Sequence, residues 1–159
     1  MKVVISGSRT ITDIKLIEMS VAESGFDVSE VISGGAKGVD TLAVEWAVKN
    51  DIPVEVFEAA WDFLDHPDAL IKTSSWGKKY DARAGLRRNE LIAVHSDALI
   101  AIWDGKSKGT KHMIKMARKR DLPIFIYRTD YPAKTGHDKR ETKREFYARL
   151  SKLANEHGW

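Results

Sequence analysis

The chain has 159 residues, 43% of them hydrophobic and 31% charged, with no cysteine and a formal net charge of +3. That length suits one domain and can bury a core without covalent staples, and the lack of cysteine excludes a disulfide scaffold, a thiolate metal site and a cysteine nucleophile. No apolar run approaches the ~20 residues of a membrane span and MKVVISGSRT is no signal peptide, so a soluble, cytoplasmic protein with no membrane partner is expected.

Lys2–Ser6 is a short apolar run of the kind found in strands buried on both faces. Ile14, Ile17 and Val21 then recur at helical spacing, with Thr12 or Asp13 as cap. A shorter strand is read at Glu30–Ser33, and Val39, Leu42, Ala43, Trp46 and Ala47 form one face of a helix after it. Pro53–Phe57 is the next strand. Residues 58–82 form a long connection, read as a lid or a short inserted helix. A helix from Ala84 to His95, a strand at Asp97–Trp103, a helix starting near Gly109 and a strand at Pro123–Tyr127 complete the rhythm. Residues 130–159 read as a C-terminal helical extension packed on the body, with Phe146, Leu150 and Leu153 at helical spacing. Alternating strands and helices predict one α/β domain over residues 1–129. Its sheet should be a Rossmann-like open parallel one of about five strands, with helices on both faces.

The small net charge conceals an asymmetry: residues 1–71 carry 5 Lys/Arg against 13 Asp/Glu, and residues 72–129 carry 14 against 5. A basic second half suits an anionic partner, although a solvated surface is the commoner meaning of a charge run.

Three Gly-rich loops each follow a predicted strand. They are Ser6-Gly7-Ser8-Arg9-Thr10, Ser33-Gly34-Gly35-Ala36-Lys37-Gly38-Val39-Asp40 and Asp104-Gly105-Lys106-Ser107-Lys108-Gly109-Thr110. In an open parallel sheet such loops share one edge, where ligands bind at the topological switch point. If the first three strands wind one way and the last two the other, that point falls between the first and fourth strands. Glycine admits close backbone approach, helix N-termini offer free N–H groups to anions, and Arg9, Lys37, Lys106 and Lys108 add charge. Any one loop alone is more often an ordinary strand-to-helix turn; none is a Walker A or GxGxxG sequence.

Ala84-Gly85-Leu86-Arg87-Arg88-Asn89-Glu90 is a further constellation, at a helix start where paired arginines oppose the macrodipole. Arg87 and Arg88 can fork onto phosphate, and Asn89 can bond a base, a ribose or backbone. Asp40 either favours its helix dipole or binds a ribose hydroxyl; Asp104 either touches ligand or positions Arg9 or Arg88. His112 faces either a ligand or solvent. The five histidines show no metal-ligand spacing. Asp62, Asp65, His66 and Asp68 would suit magnesium beside phosphates, but a solvated loop is the commoner reading, and no resident cofactor or metal is expected.

In this order and spacing, the Ser33–Asp40, Ala84–Asn89, Ser96–Ala101 and Ser107–Thr110 segments resemble the SLOG superfamily. The similarity is strongest to its YspA-related branch of bacterial and phage domains, which shares the opening Gly7-Ser8-Arg9 and an element matched by Arg88-Asn89. It covers about residues 2–127 and implies a Rossmann-like fold binding nucleotides or their derivatives, with self-association common. The Lonely Guy phosphoribohydrolases, a better-known branch, imply cleavage of a nucleoside-monophosphate N-glycosidic bond by an Arg and a Glu. Arg88 can stand for that Arg and Gly109-Thr110 for the end of its loop. The Glu is missing, because Lys111, His112 and Met113 follow, and Glu90 substitutes only if the helix turns it inward. The DNA-processing protein A family implies single-stranded DNA instead. Gly34 to Asp40, Arg87-Arg88-Asn89 and Ser107 to Thr110 echo its motifs, and Trp61, Trp76 and Tyr80 would stack bases; ordinary packing of those rings is commoner.

The resulting expectation is a nucleotide or nucleotide-derived ligand, held by a sensor or by a nucleotide hydrolase, with single-stranded DNA as the alternative. Binding is assigned to Gly7, Ser8, Arg9, Ser33, Gly34, Gly35, Lys37, Gly38, Asp40, Arg87, Asn89, Asp104, Ser107, Gly109 and Thr110, and any catalysis to Arg88 and Glu90.

Overall fold

The structure, a computed structural model, describes residues 1–139 and 143–158. Its central sheet contains β1 (Lys2–Gly7), β2 (Glu30–Ser33), β3 (Val54–Val56), β6 (Ala98–Trp103), β7 (Ile124–Arg128) and β8 (Gly136–His137). A hairpin of β4 (Ile71–Thr73) and β5 (Lys79–Asp81) stands apart as a second, two-stranded sheet. The helices are α1 (Lys15–Ser24), α2 (Val39–Lys49), α3 (Ala84–His95), α4 (Lys108–Lys119) and α5 (Lys143–His157). The large sheet runs β3-β2-β1-β6-β7-β8, all neighbours parallel except the short β8, which pairs antiparallel with β7. The five parallel strands are those read from the apolar runs.

Strand periodicity divides the core. Val3, Ile5, Val31, Ala98, Ile100 and Ile102 face one side, where Ile17 of α1 and Val39, Ala43 and Ala47 of α2 cover them. Val4, Ile32, Leu99 and Ala101 face the other, under Ile92 and Ala93 of α3 and Met113, Ile114 and Ala117 of α4. Adjacent residues point to opposite faces of a strand, so these strands must be apolar at every position. Of the two candidate caps, Asp13 supplies the bond at the start of α1: Lys15 N–H donates to its Oδ1 at 3.0 Å.

The chain changes winding direction between β1 and β6, and the two strands meet closely there. Gly7 is paired with Ile102, and Ser8 N–H donates to Ile102 O at 3.1 Å. A Cβ on Gly7 would lie 2.1 Å from Ile102 O and 2.7 Å from Val39 Cγ2.

Two expectations change. The 58–82 connection contains the β4–β5 hairpin and turns, with no inserted helix. Its strands escape a periodicity reading because they are three residues each and Ile71 is exposed. The C-terminal helix exists as α5; of the three apolar residues at helical spacing, Phe146 and Leu150 are exposed and Leu153 is half-buried. Residues 140–142 and 159 of that extension lie outside the described residues. Among the described residues no helix is long and apolar enough to cross a membrane.

Gly7→Ala drives a methyl group into backbone and is expected to cost at least about 2 kcal/mol in urea denaturation. Gly109→Ala, where an added Cβ meets nothing within 4 Å, should leave stability within about 0.5 kcal/mol of the parent.

Candidate functional site

The loops after β1, β2 and β6 meet the first turns of α3 around a cavity of about 370 Å3. Ser6, Gly7 and Arg9 line it from the first loop, Gly34, Ala36 and Asp40 from the second, Arg88, Asn89 and Ile92 from α3, and Ser107 to Thr110 from the third. A recess of about 410 Å3 adjoins it, sharing Arg9, Gly34, Ala36 and Arg88 and adding Gly35, Lys37, Glu58 and Trp61.

The second loop is tied mainly to itself. Ser33 is fully buried; its hydroxyl donates to Asp40 O at 3.1 Å and accepts from Gly35 N–H at 3.2 Å. Ala36 N–H donates to Asp40 Oδ2 at 3.2 Å. These bonds use the N–H of Gly35, which the sequence reading gives to the ligand, and that of its neighbour Ala36. Gly34 gives clearance: a Cβ there would lie 2.8 Å from Asp40 Oδ2 and 2.9 Å from Arg88 Cζ. Gly38 serves packing, since a Cβ would lie 2.4 Å from Ser8 O and its φ is +80°.

Arg88 crosses from α3 to this loop. Its Nη1 donates to Gly34 O and, at 3.3 Å, to Phe57 O, while Nε donates to Asn89 Oδ1 at 3.2 Å. Burial lowers its pKa from the ordinary arginine value, Asp40 opposes the shift, and Arg9 adds to it. Asp40 is the counterpart. It is 4% exposed, and burial raises its carboxyl to a pKa of about 6, against the Ala36 N–H bond and the nearby Arg88 and Arg9 charges. Arg9 is exposed and, among the described residues, takes part in no ion pair. Arg9 and Arg88, with Lys108 at the third loop, thus line the cavity beside one carboxyl whose pKa burial has raised.

The third loop keeps its helix terminus open. Asp104 accepts from Lys106 N–H at 2.9 Å and Ser107 N–H at 2.8 Å, and its own N–H donates to Ser8 Oγ at 3.1 Å. It therefore shapes its own turn and contacts neither Arg9 nor Arg88. Those two N–H bonds are the largest influences holding its carboxyl below the ordinary aspartate range. Ser107 caps α4, accepting from Thr110 N–H at 3.4 Å and Thr110 Oγ1 at 3.1 Å. The space a Cβ would take at Gly109 is empty. Asn89 braces this terminus, its Nδ2 lying 3.5 Å from Gly109 O and 3.2 Å from His112 Nδ1. Burial lowers the His112 pKa, so a neutral ring can accept there through Nδ1.

Several assigned residues lie elsewhere. Ser8, Ser33, Gly38 and Asp104 build the loops without lining the cavity, and Gly35 and Lys37 line the adjoining recess. Arg87 turns away to pair with Asp81, whose side chain is fully buried. Burial alone would raise the Asp81 pKa, but bonds from Arg83 N–H, the Arg87 guanidinium and Leu70 N–H outweigh it and hold the carboxyl low. Glu90 is exposed and faces a groove between α3 and α4 with Leu91, Met116 and Lys119. Two helical steps are about 200° of rotation, so it cannot share Arg88's face and is not the substitute carboxylate. Asp62 pairs with Lys78 at 3.0 Å and Asp68 with Arg83 at 2.7 Å, so those carboxylates bind cationic side chains. Ser6, Ala36 and Ile92 line the cavity without having been assigned to it, and Lys108, named for its charge alone, lines it too. Ile92 was findable, since it lies four residues after Arg88 on the same helix face.

These loops and their order can be compared with known proteins. Residues 1–63 match the YspA, cpYpsA-related SLOG family (YAcAr). This SLOG match covers β1 to β3 and the first two loops; α3 and the third loop lie beyond it. The gene 61 protein of Mycobacterium phage D29 is 29% identical over an alignment of 138 positions that covers 79% of this chain and 95% of that protein. DNA processing protein A from Streptococcus pneumoniae superposes with a TM-score of 0.59 at 20% identity, over 79% of this chain and 49% of that one. A Helicobacter pylori structure, described for its single-stranded DNA binding mode, gives 0.55 at 23% identity over 79% and 64%. This chain thus spans about half of the first and under two thirds of the second. Both likenesses concern the Rossmann-like fold.

Asp40 generates a pH prediction. Its folded pKa of about 6 exceeds the unfolded 3.8, so between those values the folded state keeps a proton the unfolded chain has lost. Stability should therefore fall as pH rises through that window. Relative to Asp40→Asn, the parent should lose up to about 3 kcal/mol between pH 4 and pH 7 in urea melts. A pH-independent difference would mean an ordinary carboxyl.

Proposed function

We propose that this chain binds a nucleotide or a nucleotide-derived molecule at the carboxyl edge of its sheet, with phosphate at the N-terminus of α4. The pairing of Arg9 with a part-buried Arg88 supports this best. Two like charges around one cavity cost free energy unless an anion joins them, and Asp40, with its pKa raised to about 6 by burial, supplies at most one negative charge against them. Lys108, Gly109 and Thr110 add a helix N-terminus with open space beside it. Asp40 is then the group placed for a ribose hydroxyl, and Ile92 offers an apolar surface.

Binding is favoured over turnover. Among the described residues Asp40 is the one carboxyl lining the main cavity, and its bonds to the second loop give it a structural task. Within that cavity a hydrolase would have to use this same group as its acid or base, the next carboxyl, Glu58, lying in the adjoining recess. Single-stranded DNA is the second reading. It is supported by the recess that carries Lys37 and Trp61 away from the cavity, and by the fold likeness to DNA processing protein A.

Calorimetry with AMP, ADP, ATP and a thymidine oligonucleotide tests both. Arg88→Ala should weaken mononucleotide binding roughly 10- to 100-fold, as expected for a lost charge-assisted hydrogen bond. Unchanged affinity would remove Arg88 from the site. The DNA reading instead requires tight oligonucleotide binding that falls steeply with salt. Chromatography of the same mixtures would reveal turnover.

A further inference from the structure

The 58–82 insertion forms a further cavity, of about 440 Å3, lined by Arg9, Trp61, Asp62, Ser74, Lys78 and Tyr80. It shares Arg9 and Trp61 with the recess beside the main cavity, so Arg9 borders all three spaces. Trp61 and Tyr80 are half-buried, and neither belongs to the two core clusters.

The insertion is firmly held. Asp81 N–H donates to Trp61 O at 2.8 Å, and the Asp81 carboxylate accepts Leu70 N–H and Arg83 N–H at 3.0 Å each and pairs with Arg87. The Trp61 indole rests on α3 at Gly85, where a Cβ would lie 2.8 Å from its Cη2. Tyr80 sits on β5 opposite Lys72, and the exposed Asp62–Lys78 pair forms part of the rim. Two aromatic side chains are thus fixed beside an arginine that also borders the phosphate cavity. A base needs a flat apolar surface, and its linking phosphate needs a cation.

We propose that the insertion cavity is a second nucleoside subsite, in which Trp61 and Tyr80 receive a base while Arg9 holds the linking phosphate. The ligand class is then two nucleosides joined through phosphate, whether a free dinucleotide or part of a DNA strand. This rests on the nucleotide reading of the main cavity.

Titration of the full chain with AMP, NAD, diadenosine tetraphosphate, a thymidine dinucleotide and a thymidine oligonucleotide tests it. At least one two-nucleoside ligand should bind about 10-fold or more tightly than AMP. Tyr80→Ala, checked for an unchanged melting temperature, should lose roughly 5- to 100-fold for that ligand and leave AMP affinity within about two-fold. Trp61→Phe, which keeps a ring, should retain binding but lose ligand-induced quenching of indole fluorescence. Preference for the free dinucleotides or for the thymidine ligands identifies the source.

The proposal is overturned if no two-nucleoside ligand outbinds AMP, or if Tyr80→Ala weakens AMP equally. AMP binding that ignores Arg88→Ala, with a Tyr80-dependent gain for the second nucleoside, would support this subsite and overturn only the assignment of the main cavity. Absence of binding by every ligand would overturn both.

Discussion

The close approach of β1 and β6 sets the geometry of the carboxyl edge. Parallel strands on either side of a winding reversal send their loops apart, and the crevice is as narrow as the backbones allow. Gly7 brings β1 against Ile102 O, and Gly38 seats the start of α2 on Ser8 and Arg9. Ser8 then joins the edge together: its carbonyl accepts from Val39 N–H at 3.4 Å and its hydroxyl from Asp104 N–H at 3.1 Å. One buried serine between two glycine contacts couples all three loops, so a shift at Gly7 would move every group around the cavity.

Within that frame the charges are balanced by an unusual set of partners. Among the described residues Arg88 forms no salt bridge, and Asp40 acts on it only through space. Its bonds go to the carbonyls of Gly34 and Phe57 and the amide of Asn89, which solvate a guanidinium without cancelling its charge. Arg87, one residue earlier, has the opposite arrangement, a fully buried aspartate as direct partner. The adjacent arginines thus divide two tasks: Arg87 holds the insertion to α3, and Arg88 keeps net positive charge at the cavity. A phosphate arriving at Arg88 would lower the cost of that charge and also oppose ionisation of Asp40, so ligand binding and Asp40 protonation should be coupled.

The parallel sheet was legible because burial on both faces demands unbroken apolar runs, as in Ala98–Trp103, and helix faces such as Val39-Ala43-Ala47 repeat at 3.6 residues. The three loops were legible for the same reason, since strand ends locate them. Which loop atoms remain available was not. Ser33, Gly35 and Ala36 have the right chemistry for phosphate, but short-range bonds to Asp40 and within the loop consume it, and no spacing rule reports that. Nor did the Arg87-Arg88 pair reveal which member faces the cavity, because Asp81 decides that from a hairpin too short and too exposed to show a period.

The two halves of the site have different origins in the chain. Arg9, Gly34 and Asp40 fall inside the SLOG-matched residues 1–63; Arg88, the α4 terminus and Tyr80 fall after them. The matched half supplies the Arg9 cation, backbone clearance, one carboxyl and Trp61, which on the proposed reading suit a ligand that brings a phosphate and a hydroxyl to the edge. On that reading, size and base preference depend on what the later half adds: the cation on α3, the open helix end, and Tyr80, which completes the aromatic wall with Trp61. Changes to β4–β5 can alter that wall without disturbing the central sheet, because Trp61 and Tyr80 lie outside both core clusters. The insertion is therefore where selectivity can diverge among chains sharing the first half, at little cost to the fold.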